Sequence, residues 1–171
     1  MRKIFNLNLF ILSLIAIDIS AAERSYKIEL LVFAQDMPTT EVFEQTESQI
    51  YWPKYVSDLS SYNKASLQLN ASYEKLLRSH KYHPLVHLAW GQTIKANSLG
   101  PAVRITNPEG TLDGFIQIQR GHLLHLKADF EYSVGTVIYH LNEKRRFKLN
   151  EIHYLDHPKF AVIARVSPIG D

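Results

Sequence analysis

Alternating apolar and polar residues predict most of the fold of this chain. Residues 112–120 (LDGFIQIQR) and 122–132 (HLLHLKADFEY) have the two-residue period of strands with one solvated face. Residues 25–33 (SYKIELLVF) begin with the same alternation and end in an apolar run, which is typical of a central strand buried on both faces. Residues 84–92 and 135–141 are further β-rich segments. Together these segments predict a mainly antiparallel sheet.

One segment has the spacing of an amphipathic helix. Within residues 69–80, four apolar side chains fall on one helical face: Leu69, Tyr73, Leu76 and Leu77. Asn70 or Ser72 is a suitable N-cap for this helix. Residues 35–68 lack periodicity, so we expect a long irregular loop there. Its aromatic residue Trp52 either packs the loop onto the body of the protein or contacts a ligand.

Glycine, proline and asparagine mark the turns between the predicted strands. Residues 98–101 (SLGP) and 107–110 (NPEG) have turn composition, with a short strand at 103–105 between them. Gly121 indicates a bulge or bend between two alternating segments. The sequence has no internal repeat, and these elements predict an α+β fold in a single domain with one main helix.

The C-terminal part of the chain predicts a hairpin. Residues 143–154 and 160–166 are rich in β-branched and aromatic residues and flank a Pro-containing connection at 156–158. We expect these two segments to pair antiparallel, with His153 and Asp156 buried. Asp156 would then accept backbone N–H groups at the turn or fix a histidine tautomer.

The N-terminus has the organisation of a cleavable signal peptide. A basic start at residues 2–3 precedes an apolar stretch at 4–17, and small residues at 20–22 form a cleavage site. Residues 1–22 are therefore predicted to be the signal peptide, and residues 23–171 a single exported domain. The chain has no cysteine, so neither a disulfide nor a lipidated cysteine is available to it.

Composition and net charge exclude some classes of function for this chain. Hydrophobic residues make up 46% of the chain and charged residues 21%, as in an ordinary globular domain. The net charge of +2 falls to +1 when Arg2, Lys3 and Asp18 leave with the signal peptide. That charge is too small for a general nucleic-acid or membrane-surface binder. Any basic patch must therefore be local.

Eight histidines raise the question of a metal site. His153, Asp156 and His157 cluster at the predicted hairpin, and a metal-dependent periplasmic hydrolase built on them is an alternative function. The chain has no H-x-H, H-E-x-x-H or C-x-x-C pair, and histidines satisfied by hydrogen bonds in and near the core are the competing interpretation. A catalytic cysteine, a G-x-S-x-G motif and a Gly-rich phosphate loop are also missing. We expect a non-enzymatic protein with no catalytic residue, metal or cofactor.

Cationic and aromatic residues on neighbouring predicted strands form the candidate binding site. They are Arg120, His125, Arg145, Arg146, Lys148 and Tyr154. Arginine forks hold carboxylates in a fixed geometry, and aromatic rings supply packing surface. Consecutive strand residues face opposite ways, so only one of Arg145 and Arg146 can point at a ligand. The alternative is a solvated basic face with one arginine paired to Glu143 or Glu151.

Four segments carry a resemblance to a known family: 26–33 (YKIELLVF), 85–92 (LVHLAWGQ), 112–114 (LDG) with 124–125 (LH), and 145–146 (RR) with 151–158 (EIHYLDHP). In this order they resemble the opening strand, the Ala-Trp segment, the glycine strand with its Leu-His pair and the closing signature of the CsiV-type peptidoglycan-binding family of Gram-negative periplasmic proteins. Together they extend over nearly all of the predicted exported domain.

The chain departs from the family pattern at a few positions. His122 and Leu123 stand where the family usually has Arg-Tyr, Lys148 replaces an arginine and Ala161 replaces a usual glycine. We expect the other distinctive residues of these segments to shape the core and the closing turn: Trp90, Glu151, His153, Asp156, His157 and Pro158.

The resemblance implies a periplasmic protein that binds peptidoglycan without enzymatic activity. It also implies two partners, a class A penicillin-binding synthase and its outer-membrane lipoprotein activator. A pure protein-interaction module remains a further alternative. No nucleic-acid partner is expected, and after signal cleavage no membrane-spanning segment is expected.

Overall fold

The computed structural model describes residues 23–36 and 45–170. The predicted signal peptide lies outside these residues and stays a prediction. Within the described part of the chain, no helix is both long and apolar enough to cross a bilayer.

Strands dominate the structure and one α-helix accompanies them, which confirms the predicted α+β class. The elements are β1 (Glu23–Gln35), β2 (Val56–Asp58), a 3-10 turn (Leu59–Ser61), α1 (Asn70–Leu77), β3 (Tyr82–Lys95), β4 (Ser98–Thr106), β5 (Leu112–Arg120), β6 (Leu124–Val134), β7 (Val137–Phe147), β8 (Ile152–His157) and β9 (Phe160–Ile169). Apart from Gln35 at the end of β1, the strand β2, the 3-10 turn and two isolated bridges at Gln45 and Lys64, the described part of the predicted loop at 35–68 is irregular.

The strands form two sheets. The four-stranded sheet has the order β3-β1-β9-β8, and all its neighbours are antiparallel. The five-stranded sheet has the order β2-β4-β5-β6-β7, with a parallel pair only between β2 and β4. β1 has strand neighbours on both sides, as its long apolar run predicts.

The main core lies between the two sheets. Alternate residues of each strand turn inward and contribute to one apolar cluster, which includes Ile28, Leu30 and Val32 of β1 and Leu126, Ala128 and Phe130 of β6. All six are fully buried. Their intervening neighbours point to the outer faces, so the two-residue period of the sequence decides what each outer face presents.

The helix α1 packs on the outer face of the four-stranded sheet. Leu76 and Leu69 join Leu31 and Phe33 in a second apolar cluster there. The predicted side-chain caps are wrong, because the N-cap is Leu69 and no cap side chain bonds to the helix. Instead the buried carboxylate of Glu29 on β1 accepts the backbone N–H groups of residues 68 and 69, both at 2.7 Å. A neighbouring strand therefore supplies the anion that the start of the helix needs.

One predicted turn is wrong and another is confirmed. Residues 98–101 begin β4, and the turn before β4 instead contains Asn97, whose φ of 52° is left-handed. The β4–β5 register shifts between Leu99 and Ala102, so the glycine and proline of this segment lie at a bulge, where proline is tolerated. The turn at 107–110 forms as predicted, with Gly110 at a φ of 69°.

The C-terminal hairpin is partly as predicted. β8 pairs antiparallel with β9, but residues 143–147 belong to β7 in the other sheet. The chain crosses between the sheets at 148–151, where Asn150 has a φ of 65°. The crossing residues (KLNE) include the turn former Asn150, a signal that the prediction of one strand over 143–154 overlooked.

Asp156 does not have the predicted role at the turn. The turn consists of Pro158 and Lys159, so Asp156 is a strand residue, and it is exposed rather than buried. Its Oδ1 accepts hydrogen bonds from Gln35 Nε2 at 3.0 Å and from the Tyr154 hydroxyl at 2.9 Å. His153 is half-buried.

Candidate functional site

Polar side chains of three adjacent strands meet on the outer face of the five-stranded sheet. The pairing register places His125 of β6 between Gln119 of β5 and Arg146 of β7. Two residues further along, Lys127 lies between Gln117 and Lys144. A groove of about 280 Å³ runs among them, lined by Leu99, Gln117, Gln119, His125, Lys127 and Lys144. We call these residues, together with Arg146, the cationic groove.

Two cations of the groove have no anionic partner in the described part of the chain. Lys144 Nζ donates only to the neutral Gln119 Oε1, at 2.8 Å. Arg146 is exposed and makes no hydrogen bond or ion pair with a described residue. Lys127 differs, because its Nζ is 3.6 Å from the fully buried carboxylate of Asp129. The uncompensated positive charge of the groove therefore lies on Lys144 and Arg146, which share one face of β7.

An irregular segment covers the other half of the same outer face. We call residues 45–55 the strap. Its backbone pairs with Ile138 of β7 through Gln45, and the Gln49 N–H donates to the Glu131 carboxylate. Trp52 packs on Phe115 of β5, with ring centroids 5.6 Å apart. The strap thereby buries that half of the face and leaves the cationic groove open.

Arg104 fixes Trp52 from β4. Its guanidinium lies 5.2 Å from the centre of the Trp52 ring. It also donates two hydrogen bonds to the Asp113 carboxylate, at 2.9 and 2.7 Å. These bonds and the charge of Asp113 raise the pKa of Arg104 above its usual value, so the cation over Trp52 is permanent.

The structure brings together two of the six predicted binding residues, His125 and Arg146. Arg145 points away from the groove, as the alternation along β7 requires. Its Nε is 2.6 Å from Glu143 Oε2, and its Nη1 donates to the Tyr154 carbonyl of β8 at 3.1 Å. Arg145 therefore connects the edges of the two sheets.

The other three predicted binding residues lie apart from the groove. Arg120 donates to the Ile94 carbonyl of β3 at 2.9 Å. Lys148 forms an exposed ion pair with Glu151 at 3.5 Å in the crossing segment. Tyr154 lies on the outer face of the four-stranded sheet. The pKa of its hydroxyl is raised above the usual value, chiefly because the ring is partly buried and to a smaller extent because the hydroxyl donates a hydrogen bond to Asp156.

A family model described as "Peptidoglycan-binding protein, CsiV" matches residues 56–169. The chain belongs to the CsiV family. The match extends from β2 to β9 and so includes every residue of the cationic groove. No curated protein and no solved structure gave a significant match.

The resemblance noted in the sequence is thereby confirmed, and the family is a peptidoglycan-binding one. The structure gives several CsiV-like segments a physical role. Trp90 is buried in the core, and its Nε1 donates to Gln92 Oε1 at 3.2 Å. Gly114 lies where β6 approaches so closely that a Cβ would be 2.7 Å from the Phe130 Cα. These motif residues shape the fold and are not exposed for binding.

The three residues predicted as metal ligands of the alternative hydrolase do not point into one common site. His153 and His157 face the space between the sheets, whereas Asp156 faces outward. His153 stacks on Phe147 with ring centroids 3.7 Å apart, and its Nε2 accepts the Lys148 N–H. In the described residues, no three His, Cys, Asp or Glu side chains are grouped to hold a metal.

Apart from the apolar Leu99, four groove residues were not singled out from the sequence: Gln117, Gln119, Lys127 and Lys144. The sequence does indicate which side chains of β5 and β6 lie on the outer face, because these are the polar residues that alternate with apolar ones. The β6–β7 register was the missing information. β7 begins at Val137 after a turn in which Gly135 has a φ of 60°, so the register decides which β7 residues face His125 and Lys127.

Proposed function

We propose that this CsiV-family chain is a non-enzymatic periplasmic protein whose cationic groove binds the stem peptides of peptidoglycan. The observation that carries the proposal is the pair of uncompensated cations, Lys144 and Arg146, on one open face of a member of a peptidoglycan-binding family. Stem peptides present carboxylates, and an arginine fork and a lysine ammonium are the groups that proteins use to hold them.

The groove is suited to weak, repeated contacts with a polymer. An exposed ion pair contributes about 0.2–1 kcal/mol, so two such cations alone do not give tight binding. The Gln119 amide adds a neutral polar group beside the cations, whereas Gln117 is buried and its Nε2 donates to the Gly100 carbonyl at 3.0 Å. A sacculus displays its stem peptides as a dense array, so rebinding to neighbouring peptides raises the overall retention.

We further propose that this binding serves cell-wall synthesis by a class A penicillin-binding synthase with its lipoprotein activator. The support for this role is the CsiV family membership and the predicted export signal. Affinity capture from a periplasmic extract, with and without sacculi, tests it directly. Recovery of neither partner in either condition would contradict the role in synthesis and leave the wall-binding proposal standing.

A sacculus pull-down with charge-matched variants tests the groove. The Lys144→Ala/Arg146→Ala double variant is expected to lose at least five-fold in bound fraction at equal protein concentration. The control is Lys75→Ala/Lys95→Ala, which removes two exposed cations from α1 and the end of β3. We expect this control to bind like the wild type, because its charges are outside the groove. An equal loss in both variants would indicate non-specific charge attraction and contradict the proposal.

The same samples test the absence of enzymatic activity. Sacculi incubated with the protein, with and without added zinc, are expected to release no soluble muropeptides. Release that depends on zinc and is lost in His157→Ala would support the hydrolase instead.

A further inference from the structure

The strap, which packs through Trp52 on the same sheet face as the cationic groove, exposes two tyrosines. Tyr51 is 82% exposed and Tyr55 is 74% exposed, whereas Trp52 between them is packed against the sheet. We call Tyr51 and Tyr55 the strap tyrosines. A single exposed apolar residue needs no explanation, but the strap carries two large exposed rings on one short segment, with Lys54 Nζ 5.3 Å from the centre of the Tyr55 ring.

The strap tyrosines are carried by an anchored backbone. Phe115 and Arg104 both contact the Trp52 ring, and Gln45 and Gln49 tie the start of the strap to the sheet through backbone hydrogen bonds. The part of the strap before Tyr51 and the residue after it are therefore fixed. Tyrosine has few rotatable bonds, so little conformational entropy is lost when such a ring makes a contact.

The strap and the groove both contact the ring of Phe115. Trp52 of the strap lies against the ring of Phe115, and Lys127 of the groove has its Nζ 4.9 Å from the centre of the same ring. The anchor of the strap and the cationic groove therefore adjoin the same ring on the outer face of the five-stranded sheet.

We infer that the strap tyrosines stack on the sugar rings of the glycan strand while the cationic groove holds the stem-peptide carboxylates. The inference rests on the proposed function and names a second part of the same polymer. Pyranose rings have apolar faces of C–H groups, and tyrosine offers a broad apolar face with a hydroxyl at its edge that reaches sugar hydroxyls. The family match begins at residue 56, so the strap is a feature of this chain outside the matched region.

A neutral sugar probe separates the two parts of the surface. The probe is a hexamer of β-1,4-linked N-acetylglucosamine, which has the glycan backbone without any carboxylate or peptide. The wild type is expected to bind it, and Tyr51→Ala/Tyr55→Ala to weaken that binding at least five-fold. Tyr51→Phe/Tyr55→Phe keeps the rings and is expected to retain most of the affinity. Lys144→Ala/Arg146→Ala is expected to bind the hexamer like the wild type.

Binding to intact sacculi distinguishes failure of this inference from failure of the proposed function. If the wild type binds sacculi through the groove but does not bind the hexamer, or if the tyrosine-to-alanine variant binds it equally well, the strap inference is overturned and the groove proposal stands. If the wild type does not bind sacculi, the proposed function fails. A tyrosine-to-alanine variant that keeps sugar binding but no longer captures a periplasmic protein would assign the strap to a protein partner and also overturn the inference.

Discussion

At the scale of single residues, neighbouring arginines on β7 have different surroundings. Arg145 is tied to Glu143 and to the backbone of β8, whereas Arg146 faces the open groove without a partner among the described residues. The strand period alone requires that the two point in opposite directions. The structure identifies which one has its charge available for a ligand.

Single alanine substitutions are therefore expected to have unequal effects. Arg145→Ala removes an exposed ion pair and a hydrogen bond between the sheet edges, so it should lower the free energy of unfolding by about 1 kcal/mol and the Tm by about 2–4 °C. Its sacculus binding should be unchanged. Arg146→Ala should leave the Tm unchanged and reduce the bound fraction about two- to five-fold. Thermal melts and pull-downs on both variants check this, and a reversed pattern would place the binding surface at the sheet edge instead.

His157 gives the stability a pH dependence with a definite sign. Burial between Tyr139 and Phe160 lowers the pKa of His157 below its usual 6.5, and this outweighs the opposing effect of Asp156. The unfolded chain therefore binds a proton at a pH where the folded chain does not. The stability that His157 contributes is present above pH 6.5 and is lost as the pH falls through the lower, folded-state pKa.

The prediction is a steeper loss of stability below pH 6.5 in the wild type than in His157→Phe. Urea unfolding at pH 7.5 and pH 5.5 measures the difference. The comparison with His157→Phe removes the contribution of the other titrating groups. Identical pH dependence in the two proteins would mean that His157 is equally protonated in the folded and unfolded states.

At the scale of secondary-structure elements, close approach of β5 and β6 explains a glycine in the CsiV-like segment 112–114. A Cβ on Gly114 would be 2.7 Å from the Phe130 Cα and closer still to the Asp129 carbonyl, so backbone would have to move. Gly121 in the β5–β6 turn is different, because a Cβ there would lie 3.7 Å from the Leu123 carbonyl oxygen, an ordinary van der Waals contact.

Gly114→Ala is therefore expected to lower the free energy of unfolding by about 1–3 kcal/mol through overpacking. Gly121→Ala, at a turn position with ordinary contacts and no positive φ, should change it by less than about 0.5 kcal/mol. Denaturant unfolding of the two variants gives the comparison. A Gly114→Ala protein as stable as the wild type would mean that the strands separate easily at this point.

The elements with strong periodicity were predictable, and those that depend on long-range pairing were not. The alternation in 112–120 gave β5 with its observed bounds, and the helical spacing gave α1 to within a few residues. The crossing at 148–151 (KLNE) was missed although Asn150 is a turn former, because the β-rich segments on either side of it resemble one strand while the chain changes sheets. The helix cap was missed because its acceptor, Glu29, is about 40 residues away in the sequence.

The candidate site shows the same division between local and long-range information. The sequence indicated His125 and Arg146 as binding residues, and the strand register brings them together. It also indicated Arg120, Lys148 and Tyr154, whose side chains have partners on other surfaces. The sequence shows the type of each residue. The sheet and the face on which that residue lies depend on strand pairing and register, which local sequence patterns do not reveal.

At the scale of the whole molecule, a nearly neutral chain concentrates binding groups on one surface. The net charge of the full sequence is only +2, yet the open half of one sheet face has two cations without an anionic partner among the described residues, and the strap on the same face carries exposed aromatic residues. A net charge this low argues against a general nucleic-acid or membrane-surface binder, so the proposed attraction is local to these two cations. The attraction of the two cations to carboxylates is screened over about 10 Å at 0.1 M salt.

The salt dependence of sacculus retention tests the groove most directly. The bound fraction is measured from about 0.05 M to 0.5 M sodium chloride for the wild type and for Lys144→Ala/Arg146→Ala, with Lys75→Ala/Lys95→Ala as the charge-matched control. The wild type and the control are expected to lose retention steeply and in parallel, while the groove variant starts low and changes little. Retention of the wild type that is independent of salt and equal to that of the groove variant would contradict the account.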